Sequence, residues 1–315
     1  MRCSGRILTI AAALALAAAF PTVVCAQGCG DTVTSDVVLT ADLLCVDQNG
    51  LTVSVDGVTI DLGGHTIKCV GQIGAPQHCQ HLGWVGINTN GHSDVTIKNG
   101  IVDRFAIGIH VNVGRNVTVR DVTVTGPELG WEVNRGESVG ILVENVQCRE
   151  GALIDGNTVD NHRYGIRLMN SNCVKIQHNS LTQNDAYAES HGILLVSSSG
   201  NTLTANFVND NGAEVAGCGG ITLAGTSSDN RVARNTVLRN CGDGISARDS
   251  ANYNTISGNS ARSNPPGPYS QCASLSSPPF ADLADRSLGP NKWARTNNCW
   301  TEGGIVPSDV CNPGE

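Results

Sequence analysis

The chain has 315 residues with 20 Lys and Arg against 28 Asp and Glu, a formal net charge of −8, and only 4 % aromatic residues against 37 glycines. An acidic surface repels phosphate backbones, which argues against nucleic acid as a partner. The aromatic shortage argues against a sandwich or α/β core of this size, whereas a stack of small rungs filled with Val, Ile and Leu needs few Phe or Tyr.

The first 26 residues read as a secretory signal peptide. Arg2 and Arg6 precede an apolar run ending at Phe20, and Val24, Cys25 and Ala26 supply the small-residue cut. A lipid-modified Cys25 is the alternative, disfavoured by the bulk of Val24. No second apolar segment follows, so no transmembrane segment is expected. Without the two leader arginines, 18 basic residues face 28 acidic ones, a net charge of −10. Export favours disulfides, but 11 cysteines remain after the leader, an odd number that leaves at least one without a partner inside the chain.

Residues 27–50 are expected to form an N-terminal cap, closed by a Cys29–Cys45 bridge over the first turn. From residue 51 the pattern becomes regular. Apolar and polar residues alternate in runs of three to five, as in Val58 to Leu62 and Val117 to Val124, between Gly, Asn and Asp. Period-two alternation means short strands with one face inward. The dipeptide Gly-Ile recurs at Gly140, Gly165, Gly192, Gly220 and Gly244. Asparagines recur with it: Asn157 with Asn161, Asn179 with Asn184, Asn206 with Asn211, Asn235 with Asn240, and Asn259 with Asn264. The first of each pair follows its predecessor by 22, 27, 29 and 24 residues, a solenoid period. Each coil thus holds about three strands, with asparagines at the bends able to pair with the next coil.

These rungs, with the segment from Asp56 to Ile67 as the opening one, resemble the right-handed parallel β-helix of the pectin lyase-like superfamily, in its short-repeat form. A distant similarity links them to the nitrous-oxide-reductase maturation β-helix proteins. The resemblance covers residues 51–264 and implies an all-β, single-chain solenoid. It leaves activity open, because lyases, hydrolases, epimerases, phage spikes and metal-delivery proteins share the coil. Beyond 264 come Pro265, Pro266, Pro268, Pro278 and Pro279, which cannot pair as interior strand, so residues 265–315 are expected as a Pro-rich linker and C-terminal cap with a Cys299–Cys311 bridge.

Four links between a coil's last strand and the next Gly-Ile strand are long: residues 68–85, 125–139, 182–191 and 209–219. All fall at one corner, and insertions on one face commonly mark the binding face. If the Gly-Ile isoleucines point inward, the following residues form an outward file of Asn88, His110, Leu142, Arg167, Leu194, Thr222 and Ser246 along a groove floor. Beside it lie Asp160, His162, Arg163 and Tyr164, and one coil on Asp185, Tyr187, Glu189 and His191. Arg holds a carboxylate while His or Tyr exchanges protons, so Arg163, Tyr164, Arg167 and His191 suit a lyase or epimerase acting on an acidic polysaccharide. His110, Asp160, His162, Asp185, Tyr187 and Glu189 would then contact ligand. The alternative is a solenoid that binds carbohydrate or a surface without chemistry.

A hydrolase is disfavoured, since no carboxylate pair stands out beyond Asp185 with Glu189. A calcium-dependent lyase would need acids in the outward file, which has none. His78, Cys79 and His81 could hold copper or zinc, but Cys69 lies ten residues before Cys79 and a disulfide between them would remove the thiolate. No cofactor is expected on this reading; a metal-handling protein is the third alternative. Cys148 with Cys173, and Cys218 with Cys241, are one coil apart and either bridge neighbouring rungs or stack as small side chains.

Overall fold

The alternating segments do form short strands, every one paired in parallel with the coil before and after it. In this computed structural model the described residues are 27–71, 79, 83–127, 138–149, 151–184, 189–212, 219–262, 264, 283–293, 297–299 and 311–312. They build a right-handed parallel β-helix. Ten strands make the Gly-Ile sheet, from Thr32–Val33 through Ile107–Asn112, Val139–Glu144, Tyr164–Met169, His191–Val196, Gly219–Ala224 and Asp243–Asp249 to Leu283–Ser287. The second and third strands of each coil complete the tube. No helix among the described residues is long and apolar enough to cross a membrane.

Ile109, Ile141, Ile166, Ile193, Ile221 and Ile245 are wholly buried inside the tube, one above another. Burying each such side chain is worth about 1.5–3 kcal/mol. The glycine before each isoleucine is required by close backbone approach. A Cβ on Gly140 or Gly165 would stand 2.6 Å from the carbonyl oxygen of the next coil's glycine, Gly165 or Gly192.

Asparagine ladders run up the inside of the bends. Asn157, Asn179, Asn206, Asn235, Asn259 and Asn297 form one, each side-chain amide donating to the next Oδ1 at 2.9–3.1 Å. Asn184, Asn211, Asn240 and Asn264 form another. A third, Asn201, Asn230, Asn254 and Asn291, is not evident from the paired-asparagine phrase. The phrase also misplaces one member: the coil below Asn184 contributes His162, not Asn161, to the ladder column. Asn161 sits one residue earlier with φ of 57°, the column of Gln183, Asp210 and Arg239.

The tube extends past both expected ends. Thr32–Val33, Val37–Val38 and Leu43–Val46 pair strand for strand with the following coil, so the N-terminal segment is itself a coil, with its Cys29–Cys45 bridge formed. At the other end Leu283–Ser287, Lys292–Trp293 and Asn297–Cys299 continue the three rows, because Asn291 and Asn297 prolong two ladders. Cys69–Cys79 and Cys148–Cys173 are disulfides. Cys241 is also disulfide-bonded, while Cys218 and the side chains of Cys299 and Cys311 lie outside the described residues.

Candidate functional site

Strand register sets the outward file on the Gly-Ile sheet. His110 pairs with Asn88 and Leu142, Leu142 with Arg167, Arg167 with Leu194, Leu194 with Thr222, and Thr222 with Ser246. The adjacent file stacks Val139, Tyr164 and His191 on successive coils. Part of the expected floor is covered: Leu142, Leu194, Thr222 and Ser246 are at most 6 % exposed, whereas Asn88, His110 and Arg167 stay partly exposed. On this face Val139, Leu142, Tyr164, Leu194 and Ala224 form an apolar cluster separate from the core, packed against Ile107, Met169 and Val196.

Four candidates converge on this cluster. The Tyr164 and His191 rings stack with centroids 6.0 Å apart and planes within 8°. The Arg167 guanidinium lies 4.6 Å and that of Arg163 5.0 Å from the Tyr164 ring centre, both within cation–π range. Arg163 is fixed at the corner: its backbone N–H donates to Ser138 Oγ at 2.9 Å and its Nε to the Glu189 carbonyl at 3.3 Å. Tyr164 is buried, while both arginines keep part of their surface exposed.

His191 is wholly buried. Its Nδ1 lies 3.0 Å from Thr222 Oγ1, which lies 3.2 Å from Ser246 Oγ, so three coils share one hydrogen-bonded chain. Nε2 has no hydrogen-bond partner among the described residues. Burial foremost, then the charges of Arg248, Arg163 and Arg167, push its pKa down to about 3. Positive charge near a neutral imidazole favours an anion over a cation. Its low basicity makes it a weak proton acceptor.

The other candidates separate. His110 Nε2 pairs with Glu144 Oε2 at 2.8 Å on the same sheet face, below the stack. Asp160 ends a third strand and points outward on the neighbouring face, not onto the Gly-Ile sheet. His162 is not a surface residue: it is wholly buried, with neither ring nitrogen hydrogen-bonded among the described residues, and burial lowers its pKa to about 3. Glu189 is exposed and contributes its carbonyl to Arg163. Asp185, Tyr187, His78 and His81 lie outside the described residues. Cys79 is consumed by its bridge to Cys69. Glu144 and Arg248 escaped the sequence reading, although each sits two residues beyond an outward-file position, on the same face by alternation.

A family model described as "Periplasmic copper-binding protein (NosD)" matches residues 76–211 and 125–276. No curated protein matches the sequence. Among solved structures, the Dettilon tailspike protein superposes with a TM-score of 0.51 at 16 % identity, over 88 % of this chain and 61 % of that one, so this chain spans about three-fifths of the tailspike. The DFA-IIIase of Arthrobacter chlorophenolicus A6, solved with GF2, gives 0.50 at 12 % identity over 88 % and 72 %. The tailspike of E. coli bacteriophage HK620, solved with a hexasaccharide, gives 0.50 at 9 % over 86 % and 59 %. At these identities the likeness is one of fold.

Proposed function

The chain belongs to the NosD family of β-helix proteins, and on that scaffold we propose an exported protein whose Gly-Ile face binds an acidic polysaccharide. One observation carries the reading: in an acidic chain, the Arg163 and Arg167 guanidiniums both lie against the Tyr164 ring, which stacks on neutral His191. Guanidiniums hold carboxylates through paired N–H donors, and the buried Tyr164 ring against which both lie fixes their positions. The hexasaccharide bound to one fold relative accords with a carbohydrate ligand. Disulfides and the periplasmic family description support export.

Binding is favoured over lyase or epimerase chemistry, because an imidazole with a pKa of about 3 is a poor base for an α-proton. The family description also names copper. Among the described residues no three His, Cys, Asp or Glu side chains converge, and the Cys79 sulfur is bonded to Cys69. These donors do not fit copper, so no step is routed through it. Calorimetric titration with alginate, pectate and a glycosaminoglycan tests the proposal. Acidic polymers should bind, dextran should not, and Arg167→Ala should weaken binding about tenfold, the loss of about 1.4 kcal/mol. Failure of all three acidic polymers to bind would overturn it.

A further inference from the structure

The second-strand face lies across a bend from the arginine stack, and its upper coils carry cations without anions. Register aligns Lys175, Thr202, Arg231, Thr255 and Lys292 on five successive coils. The residues after the first four, Ile176, Leu203, Val232 and Ile256, are wholly buried in the tube, so this file points outward. Its three cations are exposed and its two threonines half-buried. Three residues further on, at the bend, the alternation recurs. His178, Ala205, Arg234 and Gly258 share a left-handed backbone, with φ of 54°, 55°, 57° and 63°. Long cationic side chains thus stand on alternate coils, with hydroxyls or small residues between them.

Lower on the same face the cations are neutralised: Lys98 pairs with Asp61 at 3.1 Å and Arg120 with Asp121 at 3.1 Å. Lys175, Arg231, Arg234 and Lys292 form no ion pair among the described residues. The acids flanking them are engaged. Asp155 Oδ1 lies 2.9 Å from His178 Nδ1, and Asp229 accepts from Ser228 Oγ at 3.0 Å. On a chain of net charge −8, this file offers a local positive field to an anion.

Coils about 4.8 Å apart set successive cations of the file about 10 Å apart. An extended chain of pyranose sugars advances by about one coil per sugar, so the spacing matches an anionic group on every second sugar. Nucleic acid phosphates recur far more closely, at about 3.4 Å per strand. A membrane surface would call for apolar side chains to insert, and this file has none.

We propose that this face docks a linear acidic polysaccharide in which charged and neutral sugars alternate, laid along the tube axis. Lys175, Arg231 and Lys292 hold its anionic groups, and Thr202 and Thr255 hydrogen-bond the sugars between. The site is separate from the Gly-Ile face and does not rest on the reading given to that face.

The probe is hyaluronan, whose carboxylate recurs once per disaccharide. Binding is read by fluorescence anisotropy of labelled oligosaccharides on the full chain carrying Arg167→Ala, which removes a cation of the other face. That chain should bind, and added salt should weaken the binding. Adding Lys175→Gln with Arg231→Gln, both at exposed positions and checked for folding by circular dichroism, should lower affinity about tenfold. Adding Arg231→Thr with Thr202→Lys instead keeps the net charge but moves one cation by a coil, and should weaken binding as much. No hyaluronan binding, binding unchanged by the glutamine pair, or full binding after the one-coil shift overturns the proposal. So does tighter binding of single-stranded DNA or of phosphatidylglycerol vesicles that the glutamine pair abolishes. Failure of the arginine-stack reading shows separately, as pectate binding that Arg167→Ala alone leaves unchanged.

Discussion

His162 stands in the column of Asn184, and its backbone N–H donates to Asn184 Oδ1 at 3.2 Å. The ladder stops there for a local reason. In the upper coils each asparagine oxygen accepts a backbone N–H from the coil below, as Asn211 Oδ1 does from Asn184. Beneath His162 the matching residue, two after Thr125 as His162 is two after Asp160, is Pro127, which has no N–H to give. An asparagine oxygen at 162 would lack that donor; an imidazole fills the space as a largely apolar plug.

That plug makes the fold acid-sensitive. His162 and His191 have folded pKa values of about 3 against 6.5 for the free side chain. Between those values the unfolded chain binds more protons, so stability is complete above about pH 6.5 and falls as pH drops. Each histidine contributes a slope of about 1.4 kcal/mol per pH unit. Urea midpoints from pH 7 to pH 4 should therefore fall, and His162→Asn should remove about half of the slope due to this pair. An unchanged slope in that variant would remove His162 from the account.

The ladders themselves should be costly to interrupt. Asn206 accepts from Asn179 N and Nδ2 at 3.1 and 3.0 Å, and donates to the Ile176 carbonyl and Asn235 Oδ1, each at 2.9 Å. Asn206→Leu leaves several of these buried groups unsatisfied, at about 1–3 kcal/mol each. A loss of about 3 kcal/mol or more is expected in urea unfolding, against under 0.5 kcal/mol for exposed Lys175→Ala.

The fold was legible because its signals are local. Gly-Ile marks where two backbones nearly touch, and the asparagine period marks the coil. The ends were hidden because residues 265–282 separate Asn264 from Asn291, which interrupts the rhythm without ending the tube. The site was legible only in part. Register follows from alternation, so Arg163, Tyr164, Arg167 and His191 could be grouped. Burial within this face could not be read, since Leu142 and Leu194 look the same in sequence whether they meet water or pack in an apolar cluster. His162 was misread because Asn161 beside it mimics the repeat, one residue out of column.

The Cys69–Cys79 bridge closes a short loop and should contribute about 2–3 kcal/mol. Cys69→Ser should lower the urea midpoint accordingly and expose one new thiol at Cys79 to a thiol reagent. In the oxidised wild type, neither sulfur should react or bind copper. Reactivity of Cys79 without reductant would contradict the bridge and reopen a metal role for His78, Cys79 and His81.

Tyr164 decides whether the arginines act as an anion site or merely cover an apolar cluster. Tyr164→Leu keeps the packing against Val139 and Leu194 but removes the ring under both guanidiniums. Each cation–π contact is worth about 0.5–2 kcal/mol, so the arginines should lose their fixed positions. Acidic-polymer affinity should then fall about tenfold while the urea midpoint moves little. The residual binding should depend on salt as strongly as in wild type, because the charges remain and only their placement is lost. A variant that binds as wild type would show that arginine charge alone suffices, whereas a large drop in stability with unchanged affinity would make the stack a structural cover.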